Sequence, residues 1–153
     1  MTISANELRG SSLEALEQLY REAPVGPLPS TLFRGQVLQR IDTAFARSRT
    51  GSSVALPFER LSFGIDFARC AWFFVHPRLR AGHFRISQGR SRWRDTQTLQ
   101  LHYDVSRLPF RGVLYDEVKP LSATLALGLG GLNRDVGTGD LFFFLLQRGT
   151  DVR

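Results

Sequence analysis

Apolar residues in the last third of the chain fall into three runs, Gly112–Val118, Thr124–Leu132 and Leu141–Leu146, parted by Lys119-Pro120 and by Asn133–Asp140. Each run is too short for an average helix and each break has turn chemistry, which predicts an antiparallel β-meander. The same rhythm runs back along the chain. Strands are expected at Leu32–Ile41, Leu61–Phe67, Cys70–His76, Gly82–Gln88, Thr98–Val105, Gly112–Lys119, Thr124–Leu132 and Leu141–Arg148, about eight in all. No helical pattern lies between the strands from Leu61 onward, so a parallel α/β sheet is excluded in favour of a sandwich or an up-and-down barrel. Closure removes edge strands, which selects the barrel. A barrel of this size is just wide enough to be filled by side chains or to hold one small ligand.

Helical spacing is confined to the start. Ser11-Ser12-Leu13-Glu14 has the form of a capping box with Ser11 as the cap. Leu13, Leu16 and Tyr20 then share a face, and Glu17 and Arg21 are four apart. Pro24 disfavours helix in the residue before it, so the helix should stop near Ala23. Its apolar stripe must cover something, most simply one end of the sheet, as a helix packed against or over the barrel. Pro24–Ser30 (PVGPLPS) reads as a rigid connector, and Asp42–Ser53 as a short helix plus loop. The expected organisation is one domain over 1–153: helix within 1–23, connector 24–31, barrel 32–148.

Composition changes this picture in two places. The chain has 12 Phe against 2 Trp and 3 Tyr, and Phe adds apolar area with no polar atom to satisfy, which suits a core or a greasy cavity. The net charge of +6 comes from 19 Arg and a single lysine, Lys119, and such a protein attracts polyanions. The run Arg78, Arg80, Arg85, Arg90, Arg92 and Arg94, interleaved with Phe84 and Trp93, could hold single-stranded nucleic acid if the aromatics were exposed. Gly89–Asp95 (GRSRWRD), however, reads as a turn whose charges are simply solvated, which argues against that partner. No apolar window is long enough to span a membrane, and MTISANELRG lacks a secretory pattern. Cys70 is alone, so no intrachain disulfide forms; the default expectation is a cytoplasmic protein.

Most motifs carry no chemistry. Gly128-Leu129-Gly130-Gly131 follows a strand, but a phosphate loop needs a helix to begin there; NRDVGTGD and another strand follow instead. These glycines more simply permit strand bending or close approach across a barrel. His76, His83 and His102 have no metal-ligand spacing, although His76 and His83 flank a turn. Cys70 lies in the apolar run CAWFFV, as an inert core thiol would. No metal and no cofactor are expected.

What remains is a set of polar groups on apolar strands. Alternation puts Val113, Tyr115, Glu117 and Lys119 on one face and Leu114, Asp116 and Val118 on the other. One of Asp116 and Glu117 must therefore point inward, and an inward carboxylate needs a partner, for which Arg34 or Arg111 are candidates. Asp116 and Glu117 are the candidate catalytic residues; Asp66, His102, Tyr103, Tyr115, Arg34 and Arg111 are the candidate ligand-binding residues. A structural ion pair at a barrel mouth is the competing explanation for the carboxylates.

The order Gly26–Pro29, Phe33–Gly35, Phe63–Phe67 (FGIDF), His102–Asp104 (HYD), Arg111–Val118 (RGVLYDEV), Leu127–Gly130 and Phe142–Leu145 is similar to lipocalin-like (calycin) β-barrel proteins of poorly characterised bacterial families. The similarity spans about residues 24–148 in short patches. Those relatives often carry W-x-G-K-x-F on the middle strand, where this chain has SFGIDF at Ser62–Phe67. The Trp and Lys are lost, so that strand's ligand chemistry does not carry over. The resemblance implies a barrel with a central cavity. Together with the Phe-rich runs it leads to the expectation of a protein that binds a small, mainly apolar molecule. The alternative is a cofactor-free enzyme of secondary metabolism, an isomerase, cyclase or dehydratase, with Asp116 or Glu117 as general acid/base beside Tyr115, Tyr103 or His102.

Overall fold

The computed structural model describes residues 2–109 and 111–149. Nine antiparallel strands follow one another around a nearly closed up-and-down barrel: β1 (Leu32–Arg40), β2 (Phe63–Asp66), β3 (Ala71–Phe74), β4 (Arg80–His83), β5 (Arg85–Arg90), β6 (Gln97–His102), β7 (Leu114–Pro120), β8 (Leu125–Leu132) and β9 (Asp140–Arg148). Their order in the sheet is β4-β3-β2-β1-β9-β8-β7-β6-β5. The two end strands, β4 and β5, are consecutive in the chain, so the sheet wraps until its edges meet at Phe84. There the run expected as one strand, Gly82–Gln88, is divided, because the Phe84 amide donates to the Cys70 carbonyl at 2.9 Å instead of joining a ladder. That break accounts for nine strands in place of about eight. The strand expected over Thr98–Val105 ends early, in a 3-10 turn at Tyr103–Val105.

Two helices precede the barrel. The first, α1 (Ala5–Arg9), was not evident in the sequence pattern; it carries a full capping box between Ser4 and Glu7. Ser11 closes α1 by donating to the Glu7 carbonyl at 2.8 Å. The cap of α2 (Leu13–Glu22) is therefore Ser12, one residue later than expected. The helix ends at Ala23, whose extended backbone leads into Pro24 as the spacing required. Between β1 and β2 lie α3 (Ala44–Arg47) and α4 (Arg49–Arg60). The loop expected near Ser53 is helical through Pro57 up to Arg60. Tertiary packing overrides the weak propensity of Gly51, Ser52 and Ser53, since Phe58 inserts among Phe63, Trp72, Phe74 and Phe142 with centroid separations of 5.4–6.0 Å.

Register assigns the two faces of the sheet. Directly paired residues share a face, so Leu114, Asp116 and Val118 align with Leu132, Gly130 and Gly128, and these with Phe142 and Phe144. This is the inner face, into which Phe58 of α4 projects. The outer row on the same strands is Tyr115, Glu117 and Lys119 with Gly131, Leu129 and Leu127, then Phe143 and Leu145. α2 covers that row: Tyr20 meets Phe143 edge-on at 5.9 Å, and Leu16 and Tyr20 are fully buried. Burying two such side chains contributes roughly 1.5–3 kcal/mol each. The helix thus packs against the barrel wall, not across its mouth.

The glycines of the GLGG run match this geometry. A Cβ on Gly128 would sit 2.2 Å from Cζ of Phe144, and one on Gly130 2.7 Å from the Phe142 ring. Glycine here lets each cross-strand ring lie flat over its partner strand, the close approach expected for a barrel and not a phosphate cradle.

Candidate functional site

Because the side-chain period of a strand is two, the adjacent carboxylates Asp116 and Glu117 enter opposite environments. Glu117 is fully buried on the outer face. It accepts from Tyr20 Oη at 3.1 Å, Ser91 Oγ at 2.6 Å, the Arg92 amide at 2.7 Å and Tyr115 Oη at 2.9 Å. Those four donors come from α2, the β5–β6 turn and β7. A carboxylate so fully engaged is a fastener joining three elements. Lys119, two residues on and also fully buried, donates to the carbonyls of Tyr20 and Ala23 at 2.5 and 2.8 Å and to Thr96 Oγ1 at 2.7 Å. It thereby satisfies open carbonyls at the C-terminal end of α2. Burial pulls its pKa down to about 8, with the Glu117 charge acting the other way.

The turn Gly89–Asp95 belongs to the same assembly. Its Arg94 was expected to be solvated; instead the guanidinium is 9% exposed and bridges Glu17 of α2, at 2.5 Å, to Asp140 of β9, at 2.9 Å. Trp93 is buried with its indole donating to the Thr138 carbonyl at 2.6 Å, and Phe84 is buried as well. Neither aromatic can serve as a stacking platform for bases.

Asp116 faces the other way. It lines a cavity of about 700 Å3 in the barrel interior, walled by Phe58, Trp72, Phe74, Leu114, Leu132 and Phe142 among other residues. Tyr103 Oη donates to Asp116 Oδ2, and Trp72 Nε1 donates to Tyr103 Oη. The result is an indole–phenol–carboxylate chain running to the wall of an otherwise apolar chamber. Burial raises the Asp116 pKa from 3.8 to about 7; the Tyr103 bond and the Gly131 amide restrain the rise and the Glu117 charge adds to it. Burial and the same carboxylate push the Tyr103 phenol well above its ordinary range. A carboxyl poised near neutrality in an apolar chamber can accept a hydrogen bond, donate one, or exchange a proton with a bound molecule.

The remaining candidates lie elsewhere. Asp66 is buried and held by Arg69 at 3.2 Å and Arg80 at 3.6 Å. His102, on the outer face, contacts Ser87 Oγ at 2.9 Å, and burial lowers its pKa. Tyr115 is bonded to Glu117 and stacks edge-on with Trp93. Arg34 lies 5.9 Å over the Phe73 ring, and Arg111 is exposed. Neither arginine partners Asp116; the Tyr103 hydroxyl takes that place. Of the eight candidates, the structure brings Asp116 and Tyr103 together in the cavity, and Glu117 and Tyr115 together beneath α2. Cys70 is not a core thiol: it is half-buried in the β2–β3 turn with φ of 48°. His76 and His83 are both exposed, and no group of three His, Cys, Asp or Glu side chains among the described residues could hold a metal ion.

Trp72 and Phe58 were not read from the sequence as site residues. Alternation in AWFF does put Trp72 on one face with Phe74, but its link to Tyr103 spans 31 positions. Phe58 lies in a segment whose helix was masked by Gly51 and Pro57.

No protein-family model and no curated protein matches this chain. Among solved structures it is similar to a protein from Thermomonospora curvata, at 17% sequence identity and a TM-score of 0.49, covering 92% of this chain and 89% of that one. No helix among the described residues is long and apolar enough to cross a membrane.

Proposed function

We propose that the protein binds a small, mainly apolar molecule inside the barrel, against Phe58, Trp72 and Phe142, with Asp116 and Tyr103 as its polar anchor. The observation that carries this reading is the cavity itself. Its volume of about 700 Å3 falls in the range of small-molecule sites, which are apolar with a few placed polar groups. A chamber meant only as core would be filled, since interiors are packed to few voids larger than a water molecule. The test is titration with a fluorescent apolar probe such as N-phenyl-1-naphthylamine, for wild type and for Val54→Trp. Val54 is a half-buried wall residue, so the indole should occupy the chamber and weaken binding by about tenfold or more, near 1.4 kcal/mol, without lowering Tm. Equal binding by both proteins would place the probe outside the barrel.

A second reading is favoured by one observation, the Asp116 carboxyl held near neutrality beside Tyr103. In that reading the pair transfers a proton to or from the bound molecule, as in a cofactor-free isomerase, cyclase or dehydratase. Asp116→Asn would then abolish turnover even at saturating substrate.

A further inference from the structure

We infer that the molecule the cavity selects is a lipophilic amine, whose ammonium group sits against the Asp116 carboxylate. The inference rests on the cavity being a ligand site and names the class of ligand. Among the described residues, Asp116 is the one charged residue in the cavity wall, and no cation is ion-paired with it. The strongly buried carboxylates are better served: Glu117 has four donors, and Asp66 and Asp140 have arginines. Asp116 has the Tyr103 hydroxyl on Oδ2 and the Gly131 amide, both neutral donors.

Oδ1 is reached by no side-chain donor among the described residues. Gly130 stands opposite it, and a Cβ there would come within 3.1 Å of Oδ1, so glycine leaves that oxygen uncrowded. An ionised carboxylate in such a place lacks a counter-charge, and none of the described residues supplies one. A ligand ammonium would, through a charge-assisted hydrogen bond in a chamber with mainly apolar walls. The aromatic walls, Phe58, Trp72, Phe74 and Phe142, suit both the apolar body and an adjacent cation.

The charged and titratable groups around Asp116 sort clearly. Glu117 faces the opposite side of β7, and Tyr103 donates to Asp116 from the turn after β6. The wall residues from α4 (Thr50, Ser53, Val54, Pro57 and Phe58) are uncharged. Arg80, His83 and Arg107 line an adjoining pocket of about 570 Å3 that shares Ala81, Gly82 and Leu108 with the cavity. Arg80 already faces Asp66 at 3.6 Å. If those basic groups governed selection, the ligand would be an acid held at the mouth, which is the opposite outcome of the test below.

The experiment compares three probes of one shape, 9-(aminomethyl)anthracene, 9-anthracenemethanol and 9-anthracenecarboxylate, by fluorescence titration of the full chain. Near pH 8 the amine should bind roughly 10- to 100-fold more tightly than the alcohol, and the carboxylate more weakly than either. Because the ammonium needs ionised Asp116, amine affinity should fall by up to about tenfold per pH unit below about pH 7, while the alcohol's stays flat. Asp116→Asn should erase both the amine preference and its pH dependence, so that amine and alcohol then bind within about twofold of each other. Amine and alcohol binding alike, the carboxylate binding best, or an amine preference surviving Asp116→Asn each overturns the inference while leaving the cavity reading in place. Failure of all three probes to bind overturns both.

Discussion

Neighbouring carboxylates on one strand should respond to neutralisation with opposite signs, and Asp116→Asn is the sharper half of that pair. In the folded protein the Asp116 pKa is about 7, against 3.8 for an ordinary aspartate. Between those values the folded state holds a proton that the unfolded chain has lost. Stability from this group is therefore full below about pH 4, declines as pH rises, and is gone above about pH 7. The gap corresponds to roughly 4 kcal/mol at most. Asp116 is only half-buried, and water in the cavity will solvate the carboxylate in part, so about 1–3 kcal/mol is the expected size. Asparagine keeps an oxygen to accept from Tyr103 and cannot ionise. Relative to wild type, Asp116→Asn should be near neutral around pH 4 and more stable by about 1–3 kcal/mol around pH 8. Urea denaturation across that range, read as the difference between the two proteins, isolates this group because all other titrations are shared. A difference that does not grow with pH, or a variant less stable than wild type at alkaline pH, would refute the placement of Asp116 in the apolar chamber.

Glu117→Gln should destabilise by about 2–3 kcal/mol, since an amide cannot accept from all four donors that converge on the carboxylate; the denaturation midpoint measures it. Lys119→Met should release the end of α2 by removing three hydrogen bonds, seen as faster amide exchange over Leu13–Glu22 before any change in the barrel strands. Tyr103→Phe removes the bond that restrains Asp116, so the carboxyl should titrate above about 7; carbon-13 NMR of the aspartate carboxyls follows this directly. Gly128→Ala should cost about 2–3 kcal/mol, because its Cβ meets the Phe144 ring at 2.2 Å and the ring must leave its place in the core.

Much of the barrel was legible because local rules and the global fold agree. Short apolar runs with turn residues between them, and no helical spacing from Leu61 onward, left few alternatives to a closed antiparallel sheet. The disagreements fall where packing outweighs local preference. Gly51, Ser52, Ser53 and Pro57 spell a loop, yet Phe58 gains contact with four aromatic rings by ending a helix. Arg92 and Arg94 in GRSRWRD spell solvated charge, yet Glu17 lies within reach of Arg94 once α2 docks.

The site divides along the same line. Strand alternation alone determines that Asp116 and Glu117 face opposite ways, because successive side chains on a pleated strand point to opposite faces. It cannot say which way is in. That depends on α2 covering the row of Glu117 and Lys119 while α4 enters on the side of Asp116, and on Tyr103 and Trp72 arriving from distant strands. The sequence by itself determined a barrel with one inward carboxylate. Only the tertiary structure decided that it is Asp116, because the helices that cover one face and open the other are bound through contacts far apart along the chain.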